Sequence, residues 1–142
     1  MADFHGPDLL LALDRRACDV VKINEEEFCG TFGYAFPLGE DELASRIKEK
    51  SAACGCAIVV TRGAKDTLAS LHGTGYRGSV QPVRAVNPIG CGDAFSAGFF
   101  QGWIQGAGMD EAISRGAWCA TRNALSFRPG SVLGPAEAGE GI

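Results

Sequence analysis

Four consecutive residues, Gly90-Cys91-Gly92-Asp93, place two glycines and a small side chain directly ahead of a carboxylate. An apolar, helix-like run follows: Ala94-Phe95-Ser96-Ala97-Gly98-Phe99-Phe100. The first turn of a helix has unpaired backbone N–H groups and the positive end of the helix dipole. Glycines let those N–H groups approach a phosphate closely. The stretch therefore reads as an anion hole, and Asp93 stands where it can take a hydroxyl proton as that oxygen attacks phosphorus. Phosphoryl transfer needs little more than positioning, charge neutralisation and one base. No Gly-Lys-Ser/Thr occurs, so this is not a P-loop. A plainer reading stands beside it: an Asp at a helix start is an ordinary cap, and Gly-x-Gly is an ordinary turn.

The elements that must position these residues follow from patterning. Residues 7–17 look helical, with Pro7 suited to a first turn and Arg15 and Arg16 to the last. Asp19-Val20-Val21-Lys22-Ile23-Asn24 is short and β-branched, a strand, with Asn24-Glu25-Glu26-Glu27 at its carboxyl end. A loop is expected from Gly30 to Gly39, then a helix over residues 40–53. Ala57-Ile58-Val59-Val60-Thr61 reads as a buried strand ending at Arg62-Gly63. Thr67–Leu71 and Tyr76–Pro82 form a hairpin around His72-Gly73-Thr74-Gly75, and Val83–Val86 leads into the glycine motif. Helices follow from Gly92 to about Gln105 and from Met109 to Ser126, then a loose Gly- and Ala-rich tail over residues 132–142. This order predicts an α/β fold with a largely parallel sheet covered by helices, in one domain.

Composition excludes several partners. The 142 residues carry a net charge of −4. That is a poor match to nucleic acid or an anionic membrane, both of which want a basic surface. No apolar run approaches the roughly 20 residues of a membrane span, and the first residues lack a signal-peptide pattern. A cytoplasmic protein is expected. Six cysteines without an export signal read as small buried side chains rather than disulfides. Cys54-Gly55-Cys56 is too tightly spaced for ordinary zinc, and only His5 and His72 are available to assist.

Asn87–Gly98 resembles the signature of the ribokinase-like (PfkB-type) carbohydrate kinases, whose pattern is Gly-Ala/Ser-Gly-Asp after a strand. Cys91 stands where that pattern has Ala or Ser. The Asn87-Pro88 prefix is similar to the branch acting on sugar phosphates, the 1-phosphofructokinases and tagatose-6-phosphate kinases. The resemblance implies that Asp93 is the catalytic base and that the backbone of Gly90, Cys91 and Gly92 holds the transferring phosphoryl group. Lys22-Ile23-Asn24-Glu25-Glu26-Glu27 resembles the family's Lys-Pro-Asn-x-x-Glu segment. It implies that Asn24 and Glu27 organise magnesium, phosphate and water, with no direct protein ligand to the metal; a Glu-rich helix start is the ordinary alternative. Thr61-Arg62-Gly63-Ala64-Lys65-Asp66 is similar to the nucleotide loop Thr-x-Gly-x-x-Gly, with Asp66 at the final Gly. It assigns Thr61 and Gly63 to ATP, with Arg62 or Lys65 available for phosphate charge. Ala120, Asn123 and Ala124 resemble residues that border adenine, or else pack a helix. Asp3, Gly6 and Leu9 resemble the family's Asp-x-x-Gly-x-x-Leu segment.

The resemblance covers Asp3 to about Ser131, the C-terminal half of a typical member, and implies the C-terminal portion of the ribokinase-like three-layer sandwich without its lid. ATP and Mg2+ are the expected cofactors, and a sugar or sugar phosphate the expected acceptor. The family's other half supplies the first strands, most sugar-binding residues and the lid. The chain is therefore expected to work with an N-terminal half or as an oligomer. The alternatives are a half-domain that binds ATP without catalysis and an interaction subunit that needs a partner chain.

Overall fold

A computed structural model describes residues 1–130, so Ser131 and the expected tail over residues 132–142 lie outside the described residues. The chain divides into two compact units, Met1–Ser79 and the residues from Val80 on.

The first unit is built on a four-stranded sheet in the order β1-β2-β3-β4. Its elements run α1 (Pro7–Asp14), β1 (Val20–Asn24), α2 (Glu25–Phe32), α3 (Glu40–Cys54), β2 (Ala57–Arg62), β3 (Lys65–Leu71) and β4 (Thr74–Gly78). Only β1 and β2 are parallel; β2–β3 and β3–β4 are antiparallel. The expected largely parallel sheet is thus a mixed one. The reason is loop length: antiparallel strands join through tight turns, whereas parallel strands need a long crossover. Here Gly63-Ala64 joins β2 to β3, and His72-Gly73 joins β3 to β4 with φ values of 49° and 86°. Two successive positive φ angles are what a two-residue hairpin turn requires. Only the β1–β2 link, through α2 and α3, is a crossover. Ala2 adds a parallel bridge to Val21 at the outer edge of β1.

Strand alternation sends Val21, Ile23, Ile58, Val60 and Leu68 into one core with Leu9 and Leu13 of α1, Phe28 and Cys29 of α2, and Leu43 and Ile47 of α3. Val20, Ala57, Val59 and Ala69, on the alternate positions, are buried as well. Burial at both sets of positions explains the near-continuous Val/Ile runs. Helix α2 replaces part of the expected Gly30–Gly39 loop: its capping box overrides the low helix propensity of Cys29-Gly30-Thr31.

The second unit is a helix pair, α4 (Cys91–Ile104) and α5 (Met109–Ala124). Residues 79–88, including the Val83–Val86 run that leads into the glycine motif, carry no strand. No ladder partner takes Val86, whose N–H bonds instead to the Ala124 carbonyl at 2.7 Å. Phe95 and Phe99 are buried, and Phe99 stacks between Phe95 and Trp103 at centroid distances of 6.1 and 5.9 Å. Phe100, the last residue of the apolar run, lies at the surface. The helices approach through small residues. A Cβ built on Gly98 would lie 2.7 Å from both the Arg115 carbonyl oxygen and Cys119 Sγ.

Gly98→Ala is therefore expected to force α4 and α5 apart and to destabilise the fold by about 1–3 kcal/mol, as overpacking does elsewhere. The urea unfolding midpoint checks this, and an unchanged midpoint refutes it.

Candidate active site

The segment ahead of α4 is a tight turn. The Cys91 N–H bonds to the Pro88 carbonyl at 3.3 Å, and Gly90 has φ 77° and ψ 5°. Those angles suit the third residue of a type II turn, which favours Gly. Gly90 is also the N-cap of α4, and no side chain caps the helix. The Ala94 N–H bonds back to the Gly90 carbonyl at 2.9 Å. Among the described residues, the N–H groups of Gly90, Gly92 and Asp93 have no partner. Asp93 is exposed in the first helical turn, and no described group engages its carboxylate. The plainer reading of Asp93 as a cap is thus not realised: the helix start is open and a carboxylate stands beside it. An open start of this kind attracts an anion.

The turn is held from behind by the end of α5. Asn87 Oδ1 accepts from the Ile89 N–H at 3.0 Å, and Asn87 Nδ2 donates to the Phe127 carbonyl at 3.2 Å. Asn123 is fully buried. Its Nδ2 donates to the Ile89 carbonyl at 2.8 Å and lies 3.4 Å from Cys91 Sγ, while its Oδ1 accepts from the Gly130 N–H at 2.7 Å. The amide assigned to adenine is therefore committed to the turn. Ala120, one helical turn earlier, is half-buried.

In the first unit, parallel register sets Asn24 directly beside Thr61. Asn24 caps α2: its Oδ1 accepts from the Glu27 N–H at 2.9 Å, and Glu27 Oε2 accepts from the Asn24 N–H at 2.8 Å. The ordinary helix-start reading is realised here. It consumes one oxygen of each side chain and leaves the Asn24 amide N–H2 and Glu27 Oε1, the latter 3.9 Å from His5 Nε2. Thr61 sits where the β2–β3 register shifts between Val60 and Arg62. Bulges of this kind often re-aim a side chain beside an active site. Gly63 follows with φ 63° in the turn.

The pfkB family of carbohydrate kinases matches residues 5–131. The chain belongs to that family. It is 33% identical to fructoselysine 6-kinase of Escherichia coli over 92 residues, which cover 64% of this chain and 35% of that protein. It is 36% identical to a fructokinase of Klebsiella pneumoniae over 98 residues, covering 67% of this chain and 30% of that one. Thus this chain spans about a third of the length of the relatives it matches. Among solved structures, a phosphofructokinase-2 mutant of Escherichia coli superposes with a TM-score of 0.80 at 19% identity, over 87% of this chain and 40% of that one. Ribokinase of Arabidopsis thaliana with ribose and ATP superposes with a TM-score of 0.71 at 20% identity, over 80% and 37%. These likenesses establish the ribokinase-like α/β fold for this chain.

Within this pfkB chain the structure separates groups available to a ligand from groups already committed. Arg62, one candidate for phosphate charge, has a side chain only 3% exposed. Its Nε lies 3.2 Å from Glu25 Oε2 and its Nη1 2.7 Å from Glu40 Oε2. Glu40 also pairs with Arg77, and Arg77 lies 3.2 Å from Asp66. The network binds the segment Thr61–Asp66 to the first turns of α2 and α3. Lys65 remains exposed at the start of β3. Asp66 needs no positive φ, because it is an extended residue of β3. The sequence signal for this network was the acidic first turn of each helix. Asn87 was legible too: an Asn two residues before a turn amide is a common local acceptor. All six thiols are free. Burial raises the pKa of Cys18, Cys29, Cys54 and Cys119 and pushes Cys56 up to about 12.

Hydrogen bonds from Arg62, then Arg77, hold the Glu40 carboxyl below its ordinary pKa. A depressed folded-state pKa contributes stability that is complete above the ordinary carboxylate range and lost as pH falls through the lowered value. Glu40→Gln is accordingly expected to lower the melting temperature at about pH 7, with the difference from wild type narrowing as pH falls below the ordinary carboxylate range. Melting curves across that range test it; a difference independent of pH refutes the pairing.

Proposed function

We propose that this chain is the nucleotide-binding and catalytic portion, residues 1–131, of an enzyme that transfers a phosphoryl group from ATP to a sugar hydroxyl. The observation that carries this reading is the open start of α4, with unpaired N–H groups beside an unengaged Asp93 carboxylate. The N–H groups of Gly90, Gly92 and Asp93 line up the acceptor side of a phosphate with donors that cost no reorganisation. The Cys91 N–H, in a long bond to Pro88, is shared between turn and ligand. Asp93 accepts the proton of the sugar hydroxyl as its oxygen attacks phosphorus; the O–P bond to the acceptor forms as the bond to the ADP oxygen breaks.

Thr61 and Gly63 are assigned to the nucleotide, the bulge aiming the threonine and the exposed turn offering backbone. Asn24 and Glu27 are assigned to magnesium and its waters, since one amide and one carboxylate oxygen remain after capping. Such a sparse donor set suits an ion that keeps most of its waters. When bound, magnesium supplies charge neutralisation of the nucleotide phosphates.

The acceptor is assigned to the ketose class. The two relatives are named for fructoselysine and fructose, and Asn87-Pro88 matches the sugar-phosphate branch, so a 1-phosphofructokinase-like acceptor is the specific proposal. Asn87 supports it only indirectly, because both ends of its amide serve the turn. A second reading is ATP binding without turnover.

Calorimetry with ATP and magnesium, followed by ADP release with fructose, fructose 1-phosphate, fructose 6-phosphate and tagatose 6-phosphate, separates the readings. Saturable binding and ADP release with one of these sugars are expected. Asp93→Asn should cut the release by about 10²–10⁴-fold while ATP still binds. Undiminished release removes Asp93 as base, binding without release selects the second reading, and no heat with ATP refutes both.

A further inference from the structure

Asn123 is the one wholly buried side-chain amide of the second unit's described residues, and its atoms are matched to their partners by polarity. Nδ2 has two N–H donors; it meets the Ile89 carbonyl at 2.8 Å and Cys91 Sγ at 3.4 Å. Oδ1 meets the Gly130 N–H at 2.7 Å. The reversed amide would set oxygen against the Ile89 carbonyl and N–H against the Gly130 N–H, so chemistry fixes its orientation. Ile89 and Cys91 flank Gly90 on either side, and that residue carries the left-handed backbone of the turn. A Cβ on Gly90 would meet Pro129 Cβ at 3.5 Å and the Asn123 amide at 3.8 Å, ordinary contact, so the left-handed backbone rather than lack of room calls for glycine there. Cys91 also acquires a reason. A thiol sulfur accepts a weak hydrogen bond and so occupies the second amide proton, which an alanine cannot do.

From this we infer that Asn123 is a positioning residue for the phosphate-binding N–H groups at the start of α4, with Cys91 as its matched acceptor, rather than a contact to the base of the nucleotide. The inference rests on the reading that the α4 start holds the terminal phosphoryl group. A base contact and a phosphate-positioning residue differ in what they discriminate. Losing a base contact weakens ATP and ADP alike. Losing the clamp weakens ATP, which places its terminal phosphate in the hole, far more than ADP, which lacks it.

The test compares wild type with Asn123→Asp, which sets a carboxylate oxygen against the Ile89 carbonyl and Cys91 sulfur, and with Asn123→Ala, which removes the clamp without adding charge. Calorimetry with ATP–magnesium and ADP–magnesium should show ATP affinity falling about tenfold or more in each variant, the effect of leaving buried partners unpaired. ADP affinity should stay within about twofold, and the ATP-to-ADP preference is a ratio that loss of stability alone does not change. Equal losses for both nucleotides, or no loss for either, overturn the proposal. Adding Cys91→Ser to Asn123→Asp gives the carboxylate a hydroxyl donor and should recover part of the preference; a double variant no better than the single one removes Cys91 from the clamp. Amide hydrogen exchange supplies the arm that needs no nucleotide. The N–H groups of Cys91 and Gly130 should exchange faster in both variants, while those of β1 and β2 do not change. If exchange at Cys91 and Gly130 is unaltered, the clamp is wrong even where ATP binds. If exchange rises but wild type binds no ATP, the clamp stands and the phosphate reading fails.

Discussion

An unpaired backbone N–H is costly inside a protein and useful at its surface, and the start of α4 depends on keeping several of them unpaired in one place. A helix ordinarily relieves its first turn with a Ser, Thr, Asp or Asn at the N-cap. Here a glycine takes that position with a left-handed backbone, and it has no side chain to offer. The Asp that could have capped the helix falls in the first turn instead, exposed and unengaged. The first unit makes the opposite choice two elements into the chain. Asn24 and Glu27 close the start of α2 with a reciprocal pair of bonds. One helix start is sealed by side chains and the other is left open. That contrast is a physical basis for treating the two motifs as different kinds of site.

Openness has to be stabilised elsewhere. The last residues of α5 and those just after it do this within the second unit. The Ala124 carbonyl accepts from both Val86 and Asn87, the Phe127 carbonyl accepts from the Asn87 amide, and Asn123 reaches the turn itself. In the first unit, Arg62 serves a comparable end by different chemistry. A buried guanidinium between Glu25 and Glu40 ties the loop after β2 to two helix starts. The pair with Glu25 is well shielded from solvent, so it depends on both partners being present; removing one leaves a charge without compensation.

Much of this was legible in the residues. The glycine motif, the strands around Val21 and Val59, and α3, α4 and α5 all follow from local pattern, because burial and periodicity are written into short windows. What escaped has a common cause. The second strand of the hairpin ends at Gly78 rather than Pro82, and no local rule reveals that. Helix α2 was hidden because its middle, Cys29-Gly30-Thr31, is a weak helix former carried by a cap and a buried Phe28. Arg62 looked available for phosphate charge, and only the approach of Glu25 and Glu40, 37 and 22 residues away in sequence, makes it a buried, paired one. Asn123 matched a family position, but its geometry depends on Ile89, 34 residues earlier. Long-range partners decide what a polar side chain is for, and a sequence pattern names only the side chain.

The close crossing of α4 and α5 at Gly98 adds a last consequence. Because bulk at that point separates the helices, the catalytic-looking segment is not portable. Grafting Asn87–Asp93 onto another helix would carry over the glycines and the carboxylate but leave behind the surface that keeps them in shape. The smallest transferable unit is the whole helical hairpin, from Val86 to Gly130, with its small residues intact. An engineer borrowing this chemistry, or an evolutionary lineage shuffling it, has to move all of that hairpin together.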